Sequence, residues 1–147
     1  MLVTKKALLA ITTIFLVLVS TLVLAATDVG GLIDTDTTWA LAGSPFTLST
    51  SVLVADGTTL TIAAGSVIKI TGDVGFQING TLIARGTSTS PIVFEPASGT
   101  TAGSWGSVNF SDSSVDAVLD ANEDYTSGSV MEYCQLKFGG GGGSLGT

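Results

Sequence analysis

The 147-residue sequence contains no histidine. That absence excludes Ser-His-Asp and Cys-His catalysis and every histidine-based zinc site. Cysteine occurs once, at Cys134, so an internal disulfide is impossible. Cations are almost as scarce: five Lys+Arg face twelve Asp+Glu, a formal charge of −7. Two of the five, Lys5 and Lys6, lie in the first six residues, which leaves three basic against twelve acidic groups, or −9, in the rest. Such a balance repels phosphate backbones and argues against a nucleic-acid partner. The length leaves room for one domain.

What is present begins with an address. Lys5 and Lys6 precede an apolar run from Ala7 to Leu24, and Val23-Leu24-Ala25 places small residues at −3 and −1 of a cleavage site. Residues 1–25 therefore read as a secretory signal peptide. An uncleaved anchor is the competing reading, because an apolar run of that length just reaches across a bilayer. Both readings put residues 26–147 outside the cytoplasm, secreted or on the cell surface, with membrane contact only through the N-terminal segment if it stays uncleaved. Cys134 is far from that segment, so a lipid anchor on a cysteine at the mature N-terminus is excluded.

From Ala26 onward the chain is rich in Gly, Thr, Ser, Val and Ile, with short β-branched runs punctuated by glycine. Strands are expected at Thr38–Leu41, Phe46–Leu48, Ser51–Val54, Thr59–Ile62, Val67–Ile70, Gly75–Ile78, Thr81–Ala84, Ile92–Phe94, Ser107–Phe110, Val130–Tyr133 and Gln135–Phe138. A repeat decides how they assemble. Gly57 aligns with Gly80, Gly65 with Gly86, and Ile68-Lys69-Ile70 with Ile92-Val93-Phe94. The intervals are nearly constant, and three short strands in each match one coil of a parallel β-helix. Alternation then points Val52, Val54, Leu60, Ile62, Ile68 and Ile70 inward and Leu53, Thr61 and Lys69 outward.

At Thr37-Thr38-Trp39, Val54-Ala55-Asp56-Gly57-Thr58-Thr59-Leu60-Thr61-Ile62, Gly80-Thr81-Leu82-Ile83-Ala84-Arg85-Gly86-Thr87, Pro91-Ile92-Val93-Phe94, Trp105-Gly106 and Gly128-Ser129-Val130-Met131-Glu132-Tyr133 the chain resembles the N-terminal coils of bacterial right-handed parallel β-helix proteins. The resemblance implies an all-β solenoid over 26–147, with residues 27–44 capping its N-terminal end. Relatives of this kind run on for further coils, so the ending Gly139–Gly143 and Ser144-Leu145-Gly146-Thr147 reads as a C-terminal truncation. The same coils serve adhesins, lyases and surface proteins, so they specify fold rather than activity.

The most chemically suggestive stretch is Asp112–Asp124, five acids without a cation. Within it Asp120, Asn122 and Asp124 have the D-x-N-x-D spacing of a Ca²⁺ loop, but Tyr125 replaces the expected glycine and Glu132 comes one residue late. A looser Ca²⁺ site on Asp120, Asn122 and Asp124 stands against a solvated insertion between coils. Lys69, Arg85 and Lys137 are the only cations after the leader; a lyase-type base needs Ca²⁺-binding acids beside it, and neither Lys69 nor Arg85 has a carboxylate cluster at matching positions, so both read as solvated surface charges. Trp39, Trp105, Phe110, Tyr125 and Tyr133 are candidates for sugar stacking, weighed against packing at coil ends and corners. No catalytic or cofactor-binding residue is assigned. The expected function is a non-catalytic extracellular structural or adhesive β-helix module, with a polysaccharide or cell-surface component as partner. The alternatives are a fragment of a carbohydrate-active β-helix enzyme, lyase or hydrolase, and a carbohydrate-binding module.

Overall fold

A computed structural model describes residues 25–141. The signal segment read over 1–25, all but its last residue, and the terminal stretch 142–147 lie outside the described residues. Thirteen strands follow one another: β1 (Thr27–Ile33), β2 (Thr37–Trp39), β3 (Phe46–Val54), β4 (Thr59–Ile62), β5 (Val67–Ile70), β6 (Phe76–Ile78), β7 (Thr81–Arg85), β8 (Ile92–Pro96), β9 (Val108–Phe110), β10 (Val118–Leu119), β11 (Tyr125–Ser127), β12 (Val130–Glu132) and β13 (Cys134–Leu136). Among the described residues the only helical element is a short 3₁₀ turn, Leu41–Gly43.

Among the described residues every ladder is parallel except the β10–β11 pair. The strands stack in three columns. The first runs through the front of β1, the front of β3, β5, β8 and β13; the second through the back of β1, the back of β3, β6 and β9; the third through β2, β4, β7 and β12. The chain visits the columns in the same order each time, which makes the fold a parallel β-helix. Thr27, Phe46, Ile68, Phe94 and Leu136 share one position in successive coils, although the peptide between neighbours more than doubles in length from the first step to the last.

The alternation of side chains dictates the core. Val52, Val54, Leu60, Ile62, Ile68 and Ile70, the inward set read from the sequence, are all essentially inaccessible, and Leu53, Thr61 and Lys69 face outward. Phe76 sits between Trp39 and Phe94, with ring centroids 6.0 and 5.7 Å away. Each fully buried Ile, Leu or Phe contributes roughly 1.5–3 kcal/mol. Corners are tight: Gly57 turns at φ +72°, and a Cβ on Gly80 would strike the carbonyl oxygens of Ala55 and Thr58 in the coil below.

Residues 27–44 do more than cap the stack, since β1 and β2 are full ladder strands that form the first coil. The pairing of β5 with β8 corrects the repeat alignment: Ile68 lies beside Phe94, not Ile92. The corner Gly86–Pro91 is longer than its counterpart Ala63–Ser66, and the register there lies two positions past the one read from the repeat. A slip of two leaves every side chain on its own face, so the inward set is unaffected. The fourth coil has long corners at 97–107 and 111–129, and the second of these folds out as the β10–β11 hairpin.

Candidate functional site

The outer surface of the first column carries a charged ladder. Asp28, Thr47, Lys69 and Glu95 occupy one outward position in successive coils, and Lys137 follows Leu136, the partner of Phe94. The Lys69 ammonium donates to Glu95 Oε1 at 2.5 Å, and Lys137 reaches Oε2 at 3.4 Å. The hydrogen bond from Lys69 is the main reason the Glu95 carboxyl is held below the usual carboxylate range; partial burial opposes it, and the charges of both lysines add to it. Pro96, Ala97, Ser98, Gly99, Thr100 and Phe138 flank the ladder and form with it an open groove of about 260 Å³.

Arg85 repeats the pattern on the third column. It lies beside Glu132 in the next coil, and its Nε donates to Glu132 Oε2 at 2.7 Å. Its guanidinium carbon also stands 4.9 Å from the centre of the Tyr125 ring. All three cations of the described residues are thus ion-paired across a coil boundary. Each of Lys69 and Arg85 faces a single carboxylate rather than a cluster, and the repeat alignment does not show the one beside Lys69. An alignment displaced by two positions sets Lys69 against Val93 and hides Glu95. A lysine donating to a carboxylate beside it is poorly placed to accept a proton, and a carboxylate stabilised by two ammonium groups is poorly placed to supply one.

Asp120, Asn122 and Asp124 lie at the turn between β10 and β11. Asp120 Oδ1 accepts the backbone N–H groups of Asn122 and Asp124 at 2.8 and 3.0 Å, and the bond from Asp124, then that from Asn122, lowers its pKa. Its carboxylate thereby closes the turn on itself. Among the described residues no group of three or more His, Cys, Asp or Glu side chains converges as a metal cage. The insertion is otherwise solvated, as its composition implied.

The aromatics divide. Trp39 is buried and stacks on Phe46 at 5.3 Å. Trp105 is buried at a corner, where its Nε1 donates to the Lys137 carbonyl at 2.7 Å. Tyr125 donates its hydroxyl to the Gly128 carbonyl at 2.7 Å. Tyr133 and Phe110 are exposed, but they lie in different parts of the coil and form no common platform. Cys134 is half-buried, and desolvation pushes its thiol up to about 11.

Comparison with known proteins gives one result. A family model described as a pectate-lyase like beta helix domain matches residues 31–143, which include part or all of every strand. No curated protein and no solved structure matches the chain.

Proposed function

The chain belongs to the pectate-lyase-like β-helix family, and from that membership we propose that it is a non-catalytic structural or adhesive β-helix module, working outside the cytoplasm. The observation that carries this reading is the pairing of Lys69, Arg85 and Lys137 with Glu95 and Glu132. In a β-elimination enzyme a basic side chain must be free to take a proton α to a carboxylate. Here the charged side chains tie one coil to the next. Extracytoplasmic placement rests on Lys5-Lys6, the apolar run and Val23-Leu24-Ala25.

The secreted chain, incubated with polygalacturonate and with neutral plant polysaccharides, is expected to release neither unsaturated nor reducing ends, while retaining its β-sheet circular dichroism. Turnover that is abolished by Lys69→Ala with the fold intact would replace this proposal with the enzyme reading.

A further inference from the structure

We draw no further inference here: the strongest candidate, the uncharged face of outward threonines Thr38, Thr59, Thr61 and Thr81 on the third column, is a row of small side chains that identifies no ligand, and nothing in the structure shows what covers it.

Discussion

Lys69 and Glu95 stand side by side on successive coils, a full circuit of the chain apart in sequence and 2.5 Å apart between Nζ and Oε1. Lys137 approaches the same carboxylate from the other side. One acid thus links three consecutive strands of a column.

Replacing that acid, Glu95→Gln, leaves two lysines unmatched on a part-exposed surface. The expected loss is about 1 kcal/mol, the scale of a networked surface pair. The pH dependence has a definite sign. Glu95 has a folded pKa below its unfolded one, so its contribution is present above the unfolded value and fades as pH falls through the folded one. Thermal melts should therefore separate wild type from Glu95→Gln at neutral pH and bring them together in acid. A gap that stays constant into strong acid would show that the charge is immaterial.

Arg85→Ala removes both the Glu132 pair and the cation–π contact with Tyr125. Because Arg85 is exposed, global stability should change by less than about 1 kcal/mol. Amide exchange over β10 and β11 should nevertheless quicken, since the hairpin loses an anchor while the coils keep theirs. Unchanged exchange there would mean that the Tyr125–Gly128 bond suffices.

Ser66 is fully buried at the β4–β5 corner and its hydroxyl finds no hydrogen-bond partner among the described residues. A buried unsatisfied hydroxyl costs about 1–3 kcal/mol. Ser66→Ala is expected to raise the unfolding midpoint in urea without altering its slope. A lower midpoint would show that the hydroxyl is satisfied in solution.

The turn closed by Asp120 separates two roles for one carboxylate. If closing the turn is its role, Asp120→Ala loosens the hairpin in amide exchange, and millimolar Ca²⁺ leaves the melting temperature of wild type unchanged. A Ca²⁺-dependent rise that disappears in Asp120→Ala and Asp124→Asn would instead place a cation at this turn.

Cys134 gives a probe of the final strand. With its thiol raised to about 11, only about a thousandth is ionised near pH 8. Alkylation by iodoacetamide should be slow in the native chain and fast in urea. Rapid native labelling would show that β13 peels away from β8.

The columns are legible in the sequence because alternation and glycine corners are local signals. The expected strands Thr59–Ile62 and Val67–Ile70 agree with the structure to the residue, and Trp39 and Trp105 are packing residues, as weighed. All of β1 escapes a sequence reading, because Gly30-Gly31 looks like a break; in the fold the pair lets one strand serve two columns through a shift in register. The ion pairs are hidden for a different reason. They join residues 26 and 47 positions apart, and corner length, which sets those separations, leaves no periodic trace. The β10–β11 hairpin carries too little alternation to be read from its own residues.

The two long corners of the fourth coil point beyond this chain. Residues 97–107 and 111–129 make the last circuit longer than the one before it by more than half, yet Phe94 and Leu136 still lie in register. The scaffold measures position by strand pairing and is indifferent to the length of peptide between pairs. In evolutionary terms, this uncouples the innovation of a surface from the inheritance of a frame: a corner can be lengthened, exchanged or deleted while the ladders on either side are copied unchanged. A foreign peptide grafted in place of 116–128 would inherit a rigid, repetitive mount.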